Sequence, residues 1–152
     1  MYLRNLYPVP KSFKEDESEQ FAFGPRVTAR ISGLPNEYAL RAKYLWRRFS
    51  CDASELDLLP GGDGFRLIIG SADCRLESGD SYALKTGRTG ICVSAKDSAS
   101  LLDGIKTLVQ LICPAELREG HEAFYISAAE IHDAPAIGFR AIHLCVFPDT
   151  SL

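Results

Sequence analysis

Apolar residues recur at helical spacing in a first stretch of the chain. The repeating positions are Tyr38, Ala42, Leu45, Trp46 and Phe49. Steps of three and four residues place these side chains on one face of an α-helix. Asn36 is a residue type that caps helix N-termini. The pattern therefore predicts a helix over residues 36–50 that buries a single stripe.

A second stretch repeats the same pattern and contains a glycine. Its apolar positions are Leu101, Leu102, Ile105, Leu108, Val109 and Ile112. Asp97 or Ser98 can cap the start of this helix, and Pro114 ends it. Gly104 stands in the middle, where glycine costs ~1 kcal/mol relative to alanine. An interior glycine of this kind indicates that the helix backbone closely approaches a neighbouring element.

Shorter apolar segments between the helices predict strands. In residues 26–31, Val27, Ala29 and Ile31 alternate with polar residues, which is typical of a strand with one buried face. Further strands are predicted at residues 21–23, 65–69, 81–85, 91–95, 123–127 and 129–132. A glycine-containing turn at 86–90 makes 81–95 a hairpin. The charged run at 14–19 predicts a solvated loop, and residues 141–147 form a last apolar run.

This order of elements predicts an α+β fold. Two one-faced helices need one sheet to cover, so we expect a two-layer sandwich in which a mixed β-sheet carries both helices on one face. The 152 residues suit one domain with a core of its own.

Composition and charge exclude some classes of partner. The net charge of -3, from 17 basic and 20 acidic residues, argues against a nucleic-acid partner. No segment approaches the ~18 apolar residues of a membrane span, so no membrane partner is expected. The five cysteines are odd in number and form no CxxC pair, which favours reduced thiols in the core. Because the first ten residues contain no apolar signal-peptide region, we expect a cytoplasmic location.

The residues alone reveal no catalytic or metal site. His121-Glu122 begins like the zinc motif HExxH, but Tyr125 stands where the second histidine should be. His132 and His143 have no cysteine or carboxylate at ligand spacing. Trp46 lies on the apolar stripe of its helix and is expected to be core. We therefore predict no catalytic residue, no metal and no cofactor within these residues.

Four segments nevertheless resemble, in the right order, the non-catalytic N-terminal domain of family-20 glycoside hydrolases, the β-N-acetylhexosaminidases. The first is Leu6-Tyr7-Pro8-Val9-Pro10-Lys11, and the second is the hairpin from Ser81 to Ala95. The third and most specific is the helix segment around Gly104, similar to the family pattern G-x-x-T-L-x-Q-L. The fourth joins Asp133-Ala134-Pro135 to Phe139-Arg140, and it is similar to the family's D-x-P linker and to the arginine that opens the first barrel strand.

The resemblance implies both an architecture and a chemistry. Residues 1–137 would be a zincin-like α+β accessory domain, and residues 138–152 the first strand of a TIM barrel. The barrel of the parent chain and a carbohydrate substrate are the implied partners. Arg140 would bind sugar hydroxyls. The implied reaction is retaining and substrate-assisted, with the substrate's acetamido oxygen as nucleophile and an Asp-Glu pair on later barrel strands.

The sequence departs from the family pattern after Arg140 and leaves alternatives open. Ala141 and Cys145 replace a glycine and an aspartate of the family. The same accessory fold precedes the barrels of α-glucuronidases, α-N-acetylglucosaminidases and O-GlcNAc hydrolases. A stand-alone module that binds carbohydrate or protein is a further alternative. An apolar run at 141–147 favours the glycosidase reading, because a barrel would continue it.

Overall fold

The computed structural model describes residues 6, 8–24, 26–32, 35–49, 55–59, 65–69, 74–88, 90–114 and 124–137. Two helices and eight strands lie within these residues. In chain order they are β1 (Ser12–Phe23), β2 (Arg26–Ser32), α1 (Asn36–Phe49), β3 (Glu55–Leu59), β4 (Phe65–Ile69), β5 (Tyr82–Gly87), β6 (Gly90–Ala95), α2 (Ser98–Gln110), β7 (Cys113–Pro114) and β8 (Phe124–Asp133).

The strands form one mixed sheet in the order β1-β8-β5-β6-β4-β2-β3, and β7 pairs with the start of β8. One half of the sheet is antiparallel, because β8 pairs in that sense with β1 and β5, and β5 with β6. In the other half β6, β4, β2 and β3 are parallel neighbours. The β5–β6 hairpin, predicted from the sequence, therefore lies in the middle of the sheet.

Both helices lie on one face of this sheet, as predicted. α2 packs on β4, β5 and β6, and α1 packs beside α2 and on β3. The largest fully buried side chains include Trp46 on α1, Leu84 on β5, and Leu101, Ile105 and Leu108 on α2. The core of this α+β sandwich thus consists of the two predicted stripes and the sheet positions beneath them. Within the described residues, no helix has the length and apolar character needed to span a membrane.

The ends of α2 follow from its capping residues. Asp97 is the N-cap, and its Oδ1 accepts a hydrogen bond from the backbone N–H of Ser100 at 2.8 Å. This bond holds the pKa of Asp97 below its usual value, because it favours the charged carboxylate. The helix ends at Gln110, two residues before the predicted end, since the Leu111 N–H turns back to the Leu108 carbonyl.

The charged run at 14–19 is a strand rather than the predicted loop. It belongs to β1, which lies at one edge of the sheet and pairs with β8. The pairing shifts between Asp16 and Gln20, and Ser18 donates to Asp16 through both its backbone N–H and its hydroxyl. Because this edge strand is exposed on both faces, it shows no apolar alternation. Charges and an irregularity are common on edge strands, where they discourage pairing with other chains.

Two other strand predictions needed correction. The two short strands predicted between residues 123 and 132 are one continuous strand, β8, which has partners on both edges. β3 was not predicted, because two of its five residues are the acidic Glu55 and Asp57, types that are depleted in strands. It pairs in parallel with β2, a contact that is remote in sequence.

Candidate functional site

Tyr82 lies at the centre of a buried polar contact between the sheet and α2. Its hydroxyl is 2.7 Å from the Thr107 hydroxyl and donates to Asp133 Oδ2 at 3.2 Å. Because an ionised carboxylate can only accept, the Tyr82 proton goes to Asp133, and the Thr107 hydroxyl can donate to the Tyr82 oxygen. Burial raises the pKa of Tyr82, and the negative charge of Asp133 raises it further. Tyr82 therefore stays a neutral hydrogen-bond donor.

Asp133 ends β8 and receives hydrogen bonds from three residues in two parts of the chain. Besides Tyr82, the backbone N–H of Lys11 donates to its Oδ1 at 3.2 Å. Its main-chain carbonyl accepts from the N–H of Ser81 at 2.8 Å. The last residue of β8 is thus fixed to the opening segment and to the start of β5, and the chain leaves the sheet from this point.

Gly104 brings α2 into direct contact with the hairpin, as its position in the helix predicted. A Cβ atom at this position would lie 2.6 Å from Val93 Cγ1 and 3.1 Å from Tyr82 Cδ2. Real Cβ atoms do not approach other atoms so closely, and any side chain here would force the helix away from the sheet. Glycine is required because Tyr82 and Val93 occupy that space.

The four segments that carry the family resemblance therefore meet at one place. Lys11 belongs to the first, Tyr82 to the second, Gly104 and Thr107 to the third, and Asp133 to the fourth. We call these five residues the Tyr82 junction. Tyr82 contacts Thr107 in a buried setting and Asp133 in a partly buried one, and Lys11 bonds to Asp133 through its backbone N–H at the surface, so the junction is a structural anchor for the end of β8.

The opposite face of the sheet carries a cavity of about 580 Å³. Its walls come from the segment 74–81 and from outward-facing positions of β5 and β8. The charged and polar residues lining it include Arg75, Glu77, Lys85, Glu130 and His132. Lys85 and Glu130 are register partners on neighbouring strands. The cavity thus has mixed charge.

His132, which lines this cavity, is paired with carboxylates, and its nearest partner is remote in sequence. Its Nδ1 lies 2.8 Å from Asp80 Oδ2, and its Nε2 lies 3.7 Å from Glu130 Oε1. Burial alone would lower the pKa of His132 and is the largest single influence. The hydrogen bond and charge of Asp80, together with Glu77 and Glu130, outweigh it and raise the pKa. The sequence contains no sign of this pair, because Asp80 and His132 are 52 positions apart and do not form a local motif.

Glu77, Asp80 and His132 are also close enough to be tested as a metal site, since one ligand atom of each lies within 4.8 Å of the others. However, Asp80 Oδ2 already accepts hydrogen bonds from the Glu77 backbone N–H and, in the protonated ring, from His132 Nδ1. Glu77 is exposed. These contacts make the group an ion pair that fastens the 74–81 segment to β8.

The structure places some of the residues singled out in the sequence and not others. Trp46 is fully buried and packs against Phe23 with ring centroids 5.1 Å apart, which confirms that it is core. Arg140, the predicted sugar-binding residue, lies outside the described residues, as do His121-Glu122, His143 and the apolar run at 141–147. The sequence reasoning missed Tyr82 and Asp133 as bonded partners, although both stood in quoted motifs.

A mixed sheet with two helices on one face and an anchored strand β8 defines an α+β sandwich domain. The chain belongs to the family described as glycosyl hydrolase family 20, domain 2, whose model matches residues 3–134. This confirms the resemblance to that domain, and Phe139-Arg140 of the fourth segment lie beyond the match. The comparison with curated proteins gives no match.

Several solved structures share the fold. The exo-β-N-acetylglucosaminidase of Vibrio harveyi, in complex with N-acetylglucosamine, is 20% identical over 85% of this chain, with a TM-score of 0.63. A mutant β-hexosaminidase of Streptomyces plicatus, in complex with the product GlcNAc, is 21% identical over 92% of the chain, with a TM-score of 0.67. The chitobiase of Flavobacterium johnsoniae is 20% identical over 95%, with a TM-score of 0.64.

The chain spans only a small part of each of these proteins. It covers 19% of the Vibrio harveyi chain, 28% of the Streptomyces plicatus chain and 23% of the Flavobacterium johnsoniae chain. The shared fold is therefore that of one domain in each longer protein.

Proposed function

We propose that this chain is the accessory domain of a longer family-20 glycoside hydrolase of the β-N-acetylhexosaminidase type, and that it packs against that enzyme's catalytic barrel. One observation carries the proposal: the family match ends at residue 134, immediately after the strand whose last residue is held by Tyr82 and Lys11. A strand end fixed from two sides gives the following polypeptide a defined starting point. The Tyr82 junction would thus orient the barrel relative to the accessory domain.

The boundary between the two units follows from the same proposal. Residues 1–137 would form the accessory domain, and residues 138–152 would begin the barrel. Arg140 would then stand at the start of the first barrel strand, where its planar donor group suits sugar hydroxyls. The catalytic Asp-Glu pair and the acetamide-assisted chemistry would belong to later barrel strands, with a carbohydrate as substrate.

A cytoplasmic location is part of the proposal. Its support is the cysteine usage of the sequence, since the five cysteines are odd in number and form no CxxC pair.

Comparing two polypeptides tests the proposed function. One is the 152-residue chain, and the other is the product of the coding sequence extended beyond Leu152. With a nitrophenyl N-acetylglucosaminide as substrate, we expect turnover by the extended protein and none by residues 1–152. Turnover by the 152-residue chain that a substitution within it abolishes would contradict the proposal. So would an extension that encodes no barrel, or a folded barrel that does not hydrolyse this or another aryl glycoside.

A further inference from the structure

A second, smaller buried cluster lies on the sheet face opposite the helices. It consists of Cys74, Ala83 and Cys92, and Leu76 packs against it. Ala83 belongs to β5 and Cys92 to β6, whereas Cys74 begins the 74–81 segment that crosses this face before β5. The cluster therefore joins two central strands to a segment without regular secondary structure.

Cys74 and Cys92 are both buried and pack together in this cluster, of which Ala83 is the third member. The two thiols are hydrogen-bonded to each other, and the backbone N–H of Ser94 also donates to the Cys74 sulfur. These contacts seat the Cys74 side chain over β6, where Cys92 faces it. A disulfide requires two cysteines whose side chains approach each other in this way, because a bond cannot form across a longer gap without backbone movement.

The other end of the 74–81 segment is already fastened to the sheet. Asp80 bonds to His132 of β8 at 2.8 Å. The neighbouring Ser81 donates its N–H to the Asp133 carbonyl and accepts at its own carbonyl from the Lys96 N–H. A covalent bond at Cys74 would therefore fix the segment at both ends and hold the cavity wall that it forms.

We propose that Cys74 and Cys92 form an intramolecular disulfide when the protein meets a small-molecule disulfide such as oxidised glutathione. One cysteine thiolate attacks the glutathione disulfide, which forms a mixed disulfide and releases one glutathione thiolate. The second cysteine thiolate attacks the protein sulfur of that mixed disulfide and releases the second glutathione. The protein loses two hydrogen atoms, and one oxidised glutathione becomes two reduced molecules, which carry the two protons.

The closed fold slows this reaction. The hydrogen bond to Cys92 raises the pKa of the Cys74 thiol, and burial raises it further. Because the thiolate is the attacking species, the segment must open before exchange can begin. Loosening its other anchor should therefore speed oxidation. The His132→Gln variant provides this change, since it removes the charged partner of Asp80 without touching either cysteine.

Peptide mapping of the full-length protein under oxidised and reduced glutathione tests the proposal. Free thiols are alkylated before digestion, so that a linked peptide pair is distinguished from single cysteines. We expect a Cys74–Cys92 peptide pair about 2 Da lighter than the two reduced peptides, lost on treatment with dithiothreitol. Oxidation should also raise the melting temperature by several degrees, because the bond restricts the unfolded chain. The His132→Gln variant should oxidise several-fold faster.

Cys92→Ser is the matched control, because it removes one sulfur and leaves Cys74 in place. It should show no linked pair and no rise in melting temperature with oxidised glutathione. If Cys92→Ser does not fold, the wild-type peptide map decides alone. The proposal is overturned if the wild-type protein refolds in a glutathione buffer without the Cys74–Cys92 pair. It is also overturned if Cys74 pairs with a different cysteine, or if the linked protein melts no higher than the reduced one.

Discussion

Tyr82 and Asp133 are register partners on two neighbouring antiparallel strands, and the tyrosine hydroxyl donates to the aspartate carboxylate at 3.2 Å. Asp133 is also bonded by the backbone of Lys11, near the other end of the chain. The first described segment and the last strand are thus connected through one carboxylate. The two hydrogen bonds to this carboxylate join residues that are far apart in sequence, so they form only when the domain folds.

Removing the Tyr82 hydroxyl should destabilise the domain. In Tyr82→Phe the ring remains, but the Thr107 hydroxyl and the Asp133 carboxylate each lose a partner. We expect a loss of about 1–3 kcal/mol in the free energy of unfolding, which is typical when buried polar groups lose a hydrogen bond. Chemical denaturation measures it. Tyr44→Phe is the control, because Tyr44 is exposed on α1, and its loss should stay under about 0.5 kcal/mol.

Gly104→Ala should destabilise the domain although alanine favours helices. The new Cβ would meet Val93 Cγ1 at 2.6 Å. Overpacking of this kind costs about 1–3 kcal/mol, and the ~1 kcal/mol gained in helix propensity offsets only part of it over most of that range. Val93→Ala removes the atom that the new Cβ would meet. The double variant Gly104→Ala/Val93→Ala should therefore lose less stability than the two single variants added together, which a double-mutant cycle measures. Gly24→Ala, with open space around its Cβ position, should change stability little. A Gly104→Ala variant stabilised by the full ~1 kcal/mol of helix propensity would contradict the close approach.

Truncating the apolar stripe of α2 should be costly. Leu108 is fully buried in the main core, and Leu108→Ala removes apolar contacts and leaves a cavity. We expect a loss of about 2–5 kcal/mol in the free energy of unfolding. Leu40→Ala on the exposed side of α1 is the control, and it should cost much less. Equal losses of unfolding free energy in Leu108→Ala and Leu40→Ala would contradict the assignment of Leu108 to the core and of Leu40 to the surface.

The stability of the domain should depend on the charge of His132. The pKa of this histidine is raised in the folded state, so its favourable pairing is fully present below its unfolded pKa of about 6.5. The contribution is lost as the pH rises through the folded pKa. The stability difference between the wild type and His132→Gln should therefore be larger at about pH 5.5 than at about pH 8.5. Unfolding curves at both values measure it, and a difference that grows with pH would oppose the pairing with Asp80.

Arg140 should matter for catalysis in the extended enzyme. If it binds sugar hydroxyls, Arg140→Ala should lower kcat/KM ~10-fold or more and leave the melting temperature nearly unchanged. The competing role is a salt bridge that anchors the linker, for example to Asp133. A fall of many degrees in melting temperature with intact activity per folded molecule would establish the structural role.

Much of the fold was predictable because local patterns report burial directly. Both helices and the β5–β6 hairpin follow from apolar spacing and turn residues. β1 could not be recognised in full, because an edge strand exposed on both faces carries no alternation. β3 was missed because two of its five residues are acidic, and acidic residues are depleted in strands. These strands depend on partners distant in sequence, and a single segment does not encode its partner.

The sequence by itself determined the two helical stripes and the close approach of the α2 backbone to a neighbouring element at Gly104, because these rest on local spacing and residue type. It also determined the family, through the resemblance of four segments in the right order. Only the tertiary structure decided which side chains meet: Tyr82 with Asp133, Asp80 with His132, and Cys74 with Cys92. The first two pairs are separated by 51 and 52 positions. Their members come together because neighbouring strands of the sheet need not be consecutive in sequence, and long-range register has no local signal.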